Sequence, residues 1–157
     1  MKIMFVCTGN ICRSAMAHWM LKFKLEKQNI KNVEVYSSGI YAQNGDTPTY
    51  EAIETVKDYG IDMKNHRAIN TIKSDINDMD LILGMTESHK NELIYLYPNL
   101  EKKIFTLKEY IDYKKEGHNS INIKDPWGFD IETYRSCAAE IDECLNLLIE
   151  KIKKSNL

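Results

Sequence analysis

Apolar and polar positions follow blocks of changing period along this chain. Lys2-Ile3-Met4-Phe5-Val6 is a short apolar run closed by Gly9, the pattern of a strand buried on both faces. Met16, Trp19, Met20 and Phe23 then recur at i, i+3, i+4 and i+7, one face of an amphipathic helix. Val33-Glu34-Val35-Tyr36-Ser37 reads as a second strand, ending in Ser37-Ser38-Gly39. Thr47-Pro48 predicts a helix start, with Thr47 as cap and Pro48 in the first helical position. That helix turns Ala52, Ile53 and Val56 inward and stops at Gly60. Asp80-Leu81-Ile82-Leu83-Gly84-Met85 is a buried third strand, and Thr86 caps a helix that runs until Pro98. Lys103-Ile104-Phe105 is a short fourth strand, followed by the capping box Thr106-Leu107-Lys108-Glu109. Residues 113–124 are polar and aperiodic, a loop, and a last helix spans about 131–152.

Strands alternating with helices across short connections predict an α/β fold, a parallel sheet covered on both faces and wound right-handed. Ligands bind such sheets at the carboxyl ends of the strands, where the strand order reverses. The segment leaving the first strand is therefore the place to look for chemistry.

Bulk properties narrow the field. With 157 residues the chain is expected to form one domain, 1–157, with a proper core. Charged residues make up 28% and the net charge is −2, so no electrostatic field for nucleic acid or membrane is implied. There is no charged-then-apolar leader and no apolar run approaching a membrane span, and a cytoplasmic protein is expected. No repeat, low-complexity tract or linker interrupts the chain.

Cys7-Thr8-Gly9-Asn10-Ile11-Cys12-Arg13-Ser14 lies between the first strand and the first helix. A tight turn there gathers backbone N–H groups and the positive end of a helix dipole, a setting for an oxyanion. A thiol in such a nest beside a guanidinium is expected as thiolate, because these settings lower cysteine from its usual value near ~8.5. The same donors suit a phosphate, to which Arg13 offers a planar fork. A lone cysteine beside a glycine turn would more often be a packed, inert thiol. Cysteine and arginine six residues apart, on a strand–loop–helix, favour a nucleophile sharing its loop with a phosphate cradle.

Cys137 and Cys144 are seven apart on one helical face with Tyr134, Ala138, Ile141, Leu145 and Leu148, which reads as core packing. The four cysteines lack zinc-type spacing. His18, His89 and His118 form no ligand pattern, so no metal site is expected. Asp125-Pro126-Trp127-Gly128 alone reads as an Asx-type turn before a helix. Beside a thiolate nucleophile it supplies a carboxylic acid that can protonate a basic leaving group.

Val6 through Ser14, paired with Asp125-Pro126-Trp127, resembles the low-molecular-weight protein tyrosine phosphatase family over nearly the whole chain. The resemblance implies a four-stranded parallel sheet of flavodoxin-like order, the phosphotyrosine phosphatase I fold. It implies Cys7 as nucleophile, Arg13 as phosphate holder and Asp125 as general acid and then base. Thr8, Gly9, Asn10, Ile11, Cys12, Arg13 and Ser14 would bind the phosphate, with Ser14 bonded to the Cys7 sulfur and Asn10 bracing the loop in left-handed geometry. Ser38 and His66 would hold the loop, and Ile11, Tyr41 and Trp127 would wall the substrate. A Cys7–Cys12 disulfide that protects the nucleophile is a further implication. The partners implied are phosphorylated protein substrates and inorganic phosphate or sulfate, with no cofactor, no nucleic acid and no membrane, on a monomer.

Three positions depart from the family pattern. Ala15 stands where Pro is usual and His18 where Glu is common, which is expected to soften the loop. Ile11 stands where protein-arginine phosphatases, which share a stretch similar to Phe105-Thr106-Leu107-Lys108-Glu109-Tyr110, place Thr. The pocket residue favours phosphotyrosine and the wider likeness favours phosphoarginine. We follow the pocket residue and keep the arginine phosphatase as the alternative. Arsenate reductases of this fold relay oxidation through central cysteines, and none lies between Cys12 and Cys137. A phosphate-binding or redox-sensing module would have no need of Asp125.

Overall fold

Strand β1 (Lys2–Cys7) lies at the centre of the sheet, with β2 (Glu34–Gly39) on one side and β3 (Leu81–Gly84) on the other. β4 (Ile104–Thr106) pairs with β3, every pairing is parallel, and the order is β2-β1-β3-β4. The computed structural model describes residues 1–117 and 120–155; His118 lies outside them. Helices cover both faces, as the alternation of strands and helices requires.

The period of two along β1 divides the core. Ile3, Phe5 and Cys7 join the cluster formed with α1 (Arg13–Lys27), α2 (Tyr50–Lys57) and α5 (Ile131–Lys154). Met4 and Val6 point the other way, onto Leu93 of α3 (Glu87–Leu96), Leu100, Ile76 and Met79. α1 buries more than the predicted stripe: Met16 and Met20 are buried, and so are Ala15, Ala17 and Leu21, because both the sheet and α5 lie against it. Tyr134, Cys137, Ala138, Ile141, Cys144, Leu145 and Leu148 form the buried face of α5, as their spacing predicts. Burial pushes both the Cys137 and Cys144 thiols up to about 12, the behaviour of packing residues.

Caps follow the sequence with one correction. Thr86 and Thr106 cap α3 and the short α4 (Leu107–Tyr110), the latter through a complete capping box with Glu109. α2, however, is capped by Thr49, whose Oγ1 accepts from the Ala52 N–H, and not by Thr47. An N-cap is itself extended, so Pro48 does not decide between the two threonines; the Thr49 N–H donates to the Ile11 carbonyl at 3.1 Å, which fixes Thr49 at the helix entry. The helix therefore starts two residues late, and that displacement ties it to the loop after β1. Between α2 and β3 the sequence predicts no element; the structure places single 3₁₀ turns at Thr71–Lys73 and Ile76–Asp78.

Candidate active site

The loop after β1 is pinned from outside along most of its length. Its carbonyls at Cys7 and Thr8 accept from the N–H groups of Ile40 and Tyr41, both at 3.0 Å. The Ile11 carbonyl accepts from Thr49 and the Cys12 carbonyl from Met16, at 3.1 and 2.8 Å. In a trans peptide the C=O and the following N–H point in opposite directions. Carbonyls drawn outward thus turn the N–H groups of Thr8, Gly9, Cys12 and Arg13 into the concave side, the anion nest expected at this strand end. Gly39 permits the close approach of β2: a Cβ there would lie 2.5 Å from the Thr8 carbonyl oxygen.

Asn10 takes the left-handed conformation, φ 56°, and braces the turn with three groups. Its side-chain amide donates to Ser14 Oγ at 2.8 Å, and its Oδ1 accepts from the Ile69 N–H at 3.1 Å. Its own N–H reaches the Cys7 sulfur at 3.3 Å. Ser14 Oγ lies 2.9 Å from that sulfur and 3.4 Å from the Ser38 carbonyl. Because Ser14 already accepts from Asn10, its hydrogen is directed to the nearer of these two acceptors, the sulfur. Cys7 thus sits buried with two donors aimed at it.

Arg13 is also buried, and its guanidinium is divided among tasks. Nη1 donates to the Ile123 carbonyl at 3.0 Å and Nη2 faces Asp125 Oδ2 at 3.5 Å. Nε is buried with no hydrogen-bond partner among the described residues, an orphan donor in a site suited to an oxyanion. Asp125 is half exposed, and its Oδ1 accepts from the Trp127 N–H at 3.1 Å, closing the Asx turn read from the sequence. Cys7, Thr8, Gly9, Ile11, Cys12, Arg13, Asp125 and Trp127 line one cavity of about 320 Å³. The segments holding residues 7 and 125 meet there, although more than a hundred residues separate them in the chain.

The supporting residues divide. His66 reaches the Asn10 carbonyl with Nε2 at 2.9 Å while Nδ1 accepts from the Trp19 indole N–H at 3.0 Å, which fixes the proton on Nε2. Burial holds this imidazole below its ordinary value, favouring the neutral donor. Ser38 acts on the site through its carbonyl; its hydroxyl turns away to Thr71 Oγ1, 2.9 Å distant. Tyr41 is exposed, does not line the cavity, and carries its hydroxyl to Glu92 on α3. Its backbone is held at the loop, but the side chain extends along the surface. His18 does not leave a gap: Nδ1 lies 2.7 Å from Ser37 Oγ on β2, and burial lowers it to about 3. Ala15 is fully buried in the same helix start.

Two contacts were not legible from sequence spacing. His89 connects Thr8 Oγ1 to Thr86 Oγ1, 2.9 Å on each side, and burial, with Arg13 nearby, lowers it to about 4. Only its place three residues after a helix cap could have signalled this. Cys12 lies 3.2 Å from Tyr134 Oη on α5, and burial raises its thiol to about 11. All four cysteines are free thiols. Among the described residues no group of three or more His, Cys, Asp or Glu is arranged to hold a metal.

Comparison with known proteins finds relatives over nearly the whole chain. Residues 2–157 match the family model described as low molecular weight phosphotyrosine protein phosphatase. A protein-arginine-phosphatase of Geobacillus stearothermophilus is 35% identical over 152 residues, covering 97% of this chain and 96% of the relative. The crystal structure of a low molecular weight protein tyrosine phosphatase from T. tengcongensis superposes with a TM-score of 0.87 at 38% identity, covering 96% of this chain and 99% of that one. An arginine phosphatase mutant with a phosphorylated active-site serine superposes with a TM-score of 0.88 at 33% identity, over 98% and 97% of the two chains.

Proposed function

The chain belongs to the low molecular weight phosphotyrosine protein phosphatase family, and on that premise we propose that it hydrolyses phosphotyrosine on proteins through a phosphocysteine at Cys7. The observation that carries this reading is the single cavity that brings the Cys7 sulfur, the Arg13 guanidinium and the Asp125 carboxylate together. The phosphorylated active-site serine of the arginine phosphatase mutant supports a covalent phosphoryl intermediate in this family.

Phosphate oxygens occupy the nest and the orphan Nε of Arg13. The Cys7 thiolate attacks phosphorus, the P–O ester bond breaks, and Asp125 gives its proton to the departing phenolate oxygen. Asp125, now a carboxylate, takes a proton from the water that attacks the phosphocysteine. The P–S bond breaks, inorganic phosphate leaves and the thiolate is restored, with Ser14 and Asn10 receiving its charge both times. Every step uses groups of this chain. Cys12 is the proposed partner in a reversible disulfide with Cys7. Residues 1–157 act as one domain and one monomer in the cytoplasm; no helix among the described residues is long and apolar enough to cross a membrane.

A specific observation keeps a second reading, protein-arginine phosphatase, in view: relatives of that name align over almost the full chain. Against it, Ile11 lines the cavity with an aliphatic side chain, opposite in character to a hydroxyl and suited to an aromatic ring. Parallel turnover of phosphotyrosine and phosphoarginine peptides separates the two. Phosphotyrosine is expected to be cleaved faster, and Ile11→Thr to move the preference toward phosphoarginine. Faster phosphoarginine cleavage by the unmodified protein overturns the assignment.

A further inference from the structure

The sequence reads Lys108 as an interior position of a capping box, and the reaction above makes no use of it. In the structure it is almost fully buried, 3% exposed, an unusual place for an ammonium. Its Nζ pairs with Glu140 on α5 and donates to the carbonyls of Asn122 at 3.2 Å and Ser120 at 3.4 Å. The centre of the Tyr113 ring lies 4.9 Å from the ammonium. An ammonium has three N–H donors, and these three oxygens account for them. A buried cation is costly unless paired and hydrogen-bonded, and here the pairing is spent on the backbone leading to Asp125.

That backbone is irregular, since residues 120–125 contain no helix and no named strand, and its one buried side chain is Ile123, packed in the main core. Its other ties among the described residues include the Ile123 N–H to the Met85 carbonyl at 2.9 Å, Asn122 Oδ1, which accepts from the Glu87 N–H at 2.8 Å, and the Cys137 thiol, which donates to the Lys124 carbonyl at 3.7 Å. Arg13 holds the Ile123 carbonyl. Lys108 grips two carbonyls of the segment at once and ties them to Glu140 on α5. We propose that Lys108 is a positioning residue for Asp125, setting where the acid stands relative to the leaving group without touching substrate. The proposal rests on the acid role assigned to Asp125.

The test is the dependence of kcat/KM on leaving-group basicity, measured with aryl phosphates from an acidic nitrophenol to tyrosine. An acidic phenol departs without a proton, so misplacing the acid spares it and penalises tyrosine. Lys108→Met is expected to stay within about threefold of wild type on the nitrophenyl ester and to fall about tenfold or more on the tyrosine ester. Added to Asp125→Asn, it should cost nothing further on tyrosine, since both act through one group. A purely structural role would lower all esters together. Equal losses across the series, or an additive double variant, overturn the proposal. If Lys108→Met does not fold, Lys108→Arg is read in the same series, because it keeps the charge but shifts the donors; an unchanged slope then overturns the proposal. Asp125→Asn alone separates the two levels. A flat slope there removes the acid assignment and the Lys108 role with it, whereas a steep slope there with a flat one for Lys108→Met removes only the latter.

Discussion

The loop of residues 7–14 and the segment of residues 120–125 meet at Arg13, yet they are built differently. The first hangs from the central strand, is mostly buried, and has its carbonyls tied to backbone N–H groups of β2's exit, α1 and the cap of α2. The second crosses the surface, carries a half-exposed acid, and owes its shape largely to side chains reaching in from elsewhere, Lys108 and Arg13 above all. One region is shaped by the backbone and holds charge in place. The other is shaped by side chains and holds a group that must gain and lose a proton. Substitutions should therefore act on the two in separable ways.

Removing the nucleophile gives the largest separation. Cys7→Ser is expected to lower turnover roughly 10⁴-fold or more on every ester, because a serine hydroxyl is a far weaker nucleophile and Cys12, the other thiol on the cavity wall, is held protonated by burial beside Tyr134. Binding of inorganic phosphate, titrated by NMR, should persist, since the nest and Arg13 are untouched. Loss of phosphate binding together with turnover would show that the loop's shape depends on the sulfur and would break the contrast.

Arg13→Lys reaches both regions at once. A lysine keeps the charge but cannot hold the Ile123 carbonyl, face Asp125 and fill the phosphate cradle together. The expected loss is about 10²–10³-fold in kcat/KM, accompanied by a steeper leaving-group dependence. A loss of that size with the slope unchanged would mean that Arg13 serves the phosphate alone.

Acid should undo the backbone-built region. Burial lowers His18 to about 3 and His89 to about 4, and His66 is lowered as well. His18 faces His66 and Lys22, while His89 faces Arg13, Asp125 and Glu92. In each case the folded protein prefers the neutral ring, whereas the unfolded chain takes up protons below about 6.5. The stability they contribute is thus complete above about 6.5 and is lost as the pH falls toward the folded values, about 1.4 kcal/mol per pH unit for each ring. The urea midpoint should fall between pH 7.5 and pH 4.5, and His89→Asn should narrow that fall. Equal midpoints at the two pH values would contradict the assignment of neutral rings.

This difference in construction also explains what the sequence could disclose. Backbone-built features leave local signals: the apolar run of β1, the turn with Asn10 at positive φ, and the Thr106–Glu109 box all appear where their patterns place them. The displaced start of α2 is the instructive exception, because Thr47 and Thr49 are both good caps by residue type and a long-range bond from the Thr49 N–H to the Ile11 carbonyl favours the second. Side-chain-built features leave no periodic trace. Lys108 looks like any helix lysine and His89 like any polar residue near a cap, until the fold brings a carbonyl or a threonine to each. Tyr41 fails in the opposite sense: its position on the chain adjoins the loop, but its side chain leaves the cavity for Glu92.

The smallest expected effect makes the same distinction within one pair of serines. Ser14 and Ser38 are both fully buried, and the Ser38 carbonyl stands 3.4 Å from the Ser14 hydroxyl oxygen. Ser14 serves the sulfur with its side chain, so Ser14→Ala should cost about tenfold or more in kcat. Ser38 serves the loop with its backbone, which alanine retains. Among the described residues its hydroxyl bonds Thr71 Oγ1 and Met4 Sδ, so Ser38→Ala should cost about 1 kcal/mol of stability in urea melts. Turnover should stay within about twofold, since the carbonyl that meets Ser14 is unchanged. A larger fall in kcat for Ser38→Ala would mean that the hydroxyl network beneath β2 sets the sulfur's environment, and the loop could no longer be described as shaped mainly by its backbone.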